Sequence, residues 1–384
     1  MPDFSLKFTQ TPTTDAGTFK LLELPADLCK LIESSLDTPP SLVIKGDSNE
    51  HAVLCTADKT YTVRSVVLSN SILTVTPPRA GEFEHGSSDD LVIRDQIHEV
   101  LELVPCLPKL DKLGGLLRGR EYDEGRDDEE DMDEDMDDGR PTKRRKLTYE
   151  DARAMLQASD VELENGLKTR RVLTLRGELR PIAPSHLTTI LELLLNYLVS
   201  LSLSHEAAPI EDLAAALEED HEIRREVSRQ VMAWFGETKG GLWTMDTSAT
   251  VREVGIGIMR AYKNDPIAED EFLKKWRATV GDKFESVVDL NLLSGNYLSS
   301  PSQFIEPPVP LLTYFPASAL PVDPAQRFGD LFLTRPRWKA EDIAPFLTDI
   351  AFDHKERDRL LLKFARAVTD SEGVWYTARA KYNS

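Results

Sequence analysis

Apolar residues recur at every second position up to about residue 105 and at a period near 3.6 from Leu147 onward. The first spacing lines one face of a pleated strand and the second one stripe of a helix, so a sheet-based region and a helical region must follow one another. Between them lies "EYDEGRDDEEDMDEDMDD", residues 121 to 138, with 13 acidic residues and one Arg. Like charge at that density repels itself and leaves too little apolar surface for a core, which predicts a solvated linker. The block supplies −12 of the −20 formal charge, leaving −8 for the rest of the chain. Global acidity therefore does not exclude a polyanionic partner.

Within the 384 residues there is room for two or three domains. Cys29, Cys55 and Cys106 are odd in number and widely spaced, with no CxxC pair for zinc or redox chemistry, and a reducing compartment is expected. The start "MPDFSLKFTQ" has neither a basic segment nor an apolar run, so no secretion signal is expected. The most membrane-like stretch, "HLTTILELLLNYLVSLSL" (186 to 203), is interrupted by Glu192 and Asn196 and reads as a buried core helix.

The runs "TFKLLELP", "SLVIKGD", "HAVLCTAD", "TYTVRSVVLS" and "SILTVTP" predict five or six strands, with "ADLCKLIESSL" as a helix after the first. Gly46-Asp47 reads as turn chemistry rather than part of an active-site loop. So few strands would struggle to close a barrel alone, and an open sheet leaves backbone groups unpaired along its edges. Strands from a partner would satisfy them.

After the acidic block, Lys143, Arg144, Arg145 and Lys146 form a basic cluster with the composition of a nuclear-import signal. Helix, helix and hairpin then follow in repeated order. Thr148 with an acid three residues on predicts a capping box for "TYEDARAMLQ", Ser159 or Asp160 caps "VELENGLKTRR", and "VLTLRGELRPI" folds back at Arg176-Gly177. This is the layout of a winged-helix unit, and three complete cycles with one abbreviated first cycle can be counted. The expected fold is α+β: a partial N-terminal β-barrel whose open edges are either blunted by charge and loops or completed by partner subunits, then tandem winged-helix domains. The expected boundaries are 1–110 for the β region, 111–146 for a disordered linker, and 147–205, 206–325 and 326–384 for winged-helix-like units.

Catalytic signatures are missing from the sequence. The seven histidines show no HExxH spacing, and neither GxSxG nor GxxxxGK[ST] occurs, so no metal, cofactor or catalytic residue is assigned. "GIGIMRA" (255 to 261) echoes a dinucleotide fingerprint, but Arg260 replaces its last Gly and the flanking period is helical, which favours close helix packing.

Cations carry the remaining signal. Lys355, Arg359, Lys363 and Arg366 follow steps of four, four and three along the last predicted helix, and Arg379 and Lys381 would extend the patch from the following hairpin. Such a stripe suits sequence-tolerant phosphate contact. A solvated face neutralised by Asp353, Glu356 and Asp358 fits the same spacing. Arg224, Arg225 and Arg229 form a weaker group, since Glu222 and Glu226 alternate with them.

The blocks "LLELPADLC", "SLVIKGD", "AVLCTADKTY" and Ser69-Asn70, with "RWKAEDIAPFL" near the C-terminus, resemble the sister-chromatid cohesion subunit family of the alternative sliding-clamp loader. Val43, Ile44, Val53, Leu54, Tyr61 and Val63 match its β blocks; Trp338, Asp342, Ile343 and Phe346 match its C-terminal block. The resemblance implies a nuclear, non-catalytic adaptor. Its β region would assemble with the small subunit and the tail of the large subunit, and three winged helices would bind single- and double-stranded DNA. The accessory module would dock on the catalytic region of polymerase epsilon, serving clamp loading or unloading, replication and cohesion, with no membrane contact. The alternatives are a winged-helix transcription-type DNA-binding protein and, from another class, a nuclease using scattered carboxylates.

Overall fold

The computed structural model describes residues 5–8, 19–34, 39–78, 90–123, 146–302, 307–351, 353–371 and 373–379. They divide into two compact units, one of residues 1–110 with 153–164 and one of 111–152 with 165–384.

The first unit comprises β1 (Ser5–Phe8), β2 (Leu21–Glu23), α1 (Ala26–Ser34), β3 (Val43–Lys45), β4 (Val53–Cys55), β5 (Thr60–Thr76) and β6 (Asp90–Pro105). They form one mixed sheet in the order β1-β6-β5-β4-β3, with β2 also on β6. Among the described residues the sheet does not close into a barrel. The two runs expected over 60 to 77 are one strand: no Gly or Pro interrupts them, and a bulge between Val67 and Ile72 takes up Ser69-Asn70 without turning the chain. Sequence periodicity missed β6, because its apolar residues at 91 to 93, 97, 100, 101, 103 and 104 mix both spacings.

Leu28 of α1 packs with Leu54, Tyr61 and Leu103 to form the small core of this sheet. Residues 46 to 52 turn between β3 and β4, and a Cβ on Gly46 (φ 153°) would lie 2.9 Å from Gln157 Nε2 and 3.2 Å from Ala52 Cα. The pair Gly46-Asp47 is therefore structural. Segment 153–164 is stitched to the same sheet: Lys45 Nζ donates to the carbonyls of Arg153 (2.9 Å) and Ala158 (2.7 Å), and Thr60 Oγ1 donates to Glu162 (2.5 Å).

The second unit starts earlier than the expected linker allows. Residues Asp111–Leu117 form α2, with Leu113 and Leu117 buried, and Tyr122 joins the main core. Hence 111–123 is folded, and only 124–145 of that linker lies outside the described residues. Chain order then gives α3 (Tyr149–Met155), α4 (Asp160–Thr169) and the hairpin β7 (Val172–Leu175) and β8 (Glu178–Pro181). Reciprocal bonds make both predicted caps: Thr148 with Asp151, and Ser159 with Glu162. Arg176 (φ 49°) and Gly177 (φ 81°) make the tight turn.

A single element order is then repeated three times: helix, short strand, helix, helical segment, hairpin. In the first repeat these are α5 (Pro184–Ser200), β9 (Ala208–Pro209), α6 (Ile210–His221), α7 (Arg225–Trp234), β10 (Gly236–Lys239) and β11 (Leu242–Met245). In the second they are α8 (Thr247–Met259), β12 (Ile267–Ala268), α9 (Glu269–Val280), 3₁₀ turns at Glu285–Val287 and Leu290–Leu293, β13 (Tyr297–Pro301) and β14 (Pro310–Tyr314). In the third they are α10 (Pro324–Thr334), β15 (Arg337–Lys339), α11 (Ala340–Ile343), α12 (His354–Phe364), β16 (Ala365–Asp370) and β17 (Gly373–Ala378). Each short strand pairs antiparallel with the second strand of its hairpin. A reduced version spans 111–181, with α2 as first helix and an isolated Thr148–Glu178 bridge in place of the short strand. The expected boundary at 205 consequently falls inside the first repeat, whose opening helix is α5.

The α5 helix is indeed a core helix, burying Leu187, Ile190, Leu191, Leu194, Leu195 and Leu198; no described helix is long and apolar enough to cross a membrane. The first two repeats share one core. There a Cβ on Gly255 would lie 2.5 Å from the Trp276 ring and one on Gly257 2.4 Å from Thr188, so "GIGIMRA" is a close-packing helix, as its period predicts. The third repeat has a separate core around Phe328, Trp338, Phe346, Leu347 and Phe364. Arg327, 1% exposed, ties it together by donating to the carbonyls of Pro321 (2.6 Å) and Phe346 (2.8 Å) and to the Asp349 carboxylate.

Candidate nucleic-acid and partner interfaces

The cationic stripe is shorter than its spacing predicts. Asp353 caps α12 by accepting from the Glu356 N–H at 2.7 Å, and the helix ends at Phe364. Lys355, Arg359 and Lys363, at steps of four, stay on one exposed stripe. Arg366 does not, because Ala365 to Asp370 pair along their full length with β17 and the ladder overrides the helical period. Lys355 has no carboxylate partner among the described residues. Arg359 is 79% exposed with Glu356 at 3.4 Å, a surface pair that holds it weakly, and Lys363 Nζ lies 5.0 Å from the Phe364 ring centroid. Arg379 donates from Nε to the Ala365 carbonyl at 3.1 Å. Lys381 and the cluster Lys143, Arg144 and Arg145 lie outside the described residues, and Lys146 is exposed.

The helix at the equivalent place in the first repeat behaves differently. Both Nε and a terminal nitrogen of Arg229 reach the Glu211 carboxylate (2.9 and 2.6 Å), and Arg225 reaches Glu218 at 2.5 Å. The Arg229 guanidinium holds the Glu211 carboxyl below the usual carboxylate range, and Glu211 in turn raises Arg229. In the second repeat 3₁₀ turns stand where this helix would be. Among the described residues of the three repeats, the last combines a full helix at this place with cations outside close ion pairs.

A second surface of the last repeat escaped sequence reasoning. In the order β15-β17-β16, Arg337 and Arg366 both pair with Thr377, and Lys339 and Val368 both pair with Trp375. Alternation puts these six residues on one sheet face, while fully buried Trp338 and its partner Tyr376 line the core face. The Arg337 guanidinium carbon lies 4.1 Å from the Trp375 ring centroid and Lys339 Nζ 5.3 Å from it. Asp370 accepts from both Arg337 and Trp375 Nε1 (3.0 Å for the latter). The period-two spacing of Arg337 with Lys339, and of Trp375 with Thr377, was the available signal.

In the first unit the candidate interface is backbone. On its side away from β6, β5 pairs with β4 only at Thr60 to Thr62. Among the described residues no strand borders that side of 64–76, a span of ~40 Å. Val66, Val67, Ile72, Leu73 and Val75 are exposed along it, Val67 to 80%. Of the matched strand residues, Val43 and Ile44 are exposed on the edge strand β3, Val53, Leu54 and Tyr61 are buried, and Val63 packs on the core. Ile343 and Phe346 are buried, and Asp342 faces Arg335 at 3.5 Å. No group of three or more potential metal ligands occurs among the described residues.

A family model described as sister chromatid cohesion protein Dcc1 matches residues 19–347. The chain is 28% identical over 388 residues to sister chromatid cohesion protein DCC1 of Xenopus tropicalis, covering 98% of this chain and 91% of that one. Against the Homo sapiens protein of the same name the identity is 27% over 374 residues, covering 95% and 89%. The Saccharomyces cerevisiae protein aligns over 202 residues at 27%, covering 50% and 51%. With the family model spanning most of its length and the two vertebrate relatives matched nearly end to end, the chain belongs to the Dcc1 family of sister chromatid cohesion proteins.

Proposed function

We propose that this chain is a non-catalytic adaptor of an alternative clamp loader, with a protein-docking sheet in its first unit and a DNA-contacting repeat in its second. The observation that carries the reading is the open β5 border. The backbone of residues 64–76, with apolar side chains along it, forms the kind of edge that natural sheets cover or blunt. Strands from the large and small loader subunits would complete the partial barrel by edge addition.

The repeated element order supports reading the three repeats of the second unit as tandem winged helices with the middle one reduced, and residues 111–181, of which 153–164 belong to the first unit, as an abbreviated further cycle. The mixed signs along α12 favour sequence-tolerant phosphate contact over an operator reader. Docking on the catalytic region of polymerase epsilon, residence in the nucleus and import through Lys143 to Lys146 belong to the same proposal. So do single- and double-stranded DNA as ligands. The test is co-purification: the full chain recovers both loader subunits, and a Val66→Lys, Val67→Lys variant loses them while keeping its thermal transition. Undiminished recovery by the variant would remove the sheet edge as the docking element.

A further inference from the structure

We infer that the outer face of the last sheet is a stacking site for unpaired nucleobases, separate from the α12 stripe and centred on the Arg337 guanidinium. The inference rests on the proposed DNA contact of this repeat and divides it in two: helix for duplex phosphates, sheet for single strand.

Arg337 is held over an aromatic ring. Its guanidinium carbon lies 4.1 Å from the Trp375 ring centroid, and Asp370 binds Arg337 and the Trp375 indole N–H together, so the cation is held at the ring before any ligand arrives. The Arg337 side chain is nevertheless 45% exposed. A planar cation over an aromatic ring, with nearly half of its side chain exposed to solvent, can offer a base both π-contact and charge. Lys339 and Arg366 flank it on the same face, Thr377 lies between the two arginines, and Val368 (39% exposed) adds an apolar floor. Among the described residues, three cations on this face against the Asp370 carboxylate suit a polyanionic strand. Flatness suits bases rather than a groove, because a three-stranded sheet face can meet several unstacked bases side by side, whereas a duplex keeps its base faces covered.

An acidic peptide would use the same charges but not the plane. Replacing Arg337 by Lys keeps the charge and removes the plane, so it separates the two. With the full chain, binding of a short oligothymidylate, a short oligouridylate, an abasic deoxyribose-phosphate oligomer and a blunt duplex is measured by anisotropy at several salt concentrations. Arg337→Lys should weaken both single strands about tenfold, the scale of losing one base stack, with the salt slope and the duplex affinity unchanged. The abasic oligomer should bind the wild-type chain as weakly as oligothymidylate binds the variant. Trp375→Leu, which removes the support under the guanidinium, should repeat the result, and polyglutamate should not compete. A uridylate preference would assign RNA as the ligand and overturn the DNA version of the inference. Equal binding of abasic and base-bearing strands, an unaffected Arg337→Lys variant, or competition by polyglutamate would overturn the stacking site while leaving the proposed DNA contact standing. Failure of the wild-type chain to bind any nucleic acid would overturn both.

Discussion

The β5 border and the last repeat offer opposite chemistries to a partner. One is uncharged backbone with valines and isoleucine beside it; the other is cations around an indole. Apolar edge pairing responds little to salt and tolerates no added charge, whereas phosphate contact weakens steeply as salt rises. On the proposed function, the difference would let one chain take up two partners of different chemistry, each responding to salt in its own way.

The largest expected effect comes from charging the apolar end. A lysine pair at Val66 and Val67 should abolish recovery of the loader subunits and leave duplex binding unchanged; joint loss of both activities would break the separation. Next, Lys355→Glu with Lys363→Glu should lower duplex affinity by at least about tenfold and flatten the log–log salt slope by roughly two, with subunit recovery intact. Third, Arg327→Ala removes the buried clamp and should destabilise the last repeat by about 3 kcal/mol, seen as an early calorimetric transition distinct from the shared core of the first two repeats. A single cooperative transition would show that the repeats are not thermally separate. The smallest effect is a gain: Glu211→Gln with Glu218→Gln releases Arg225 and Arg229 and should strengthen duplex binding by a few-fold, sharpening the contrast between α7 and α12. No gain would mean that ion pairing is not what silences the first repeat.

Local signals were legible in the sequence, and long-range pairing was not. Thr148 and Asp151, Ser159 and Glu162, and Arg176-Gly177 announce two helix starts and a turn because each acts within four residues. Arg366 was misplaced because its helical spacing from Lys363 is real, yet the ladder with β17 takes the backbone at Ala365. The Arg337, Trp375 and Asp370 cluster joins residues more than thirty apart through strand register, which no window reports. The acidic block hid α2 for a related reason: it separates that helix from the strand bridge and hairpin of its own abbreviated repeat.

Amide hydrogen exchange along residues 64–76 of the intact chain, alone and bound to the loader subunits, probes the adaptor claim at its source. Amides on the side of β5 facing away from β6 should exchange rapidly in the free chain and become strongly protected in the complex. Slow exchange in the free chain, unaltered by the subunits, would mean that this border is already satisfied and that docking takes place elsewhere.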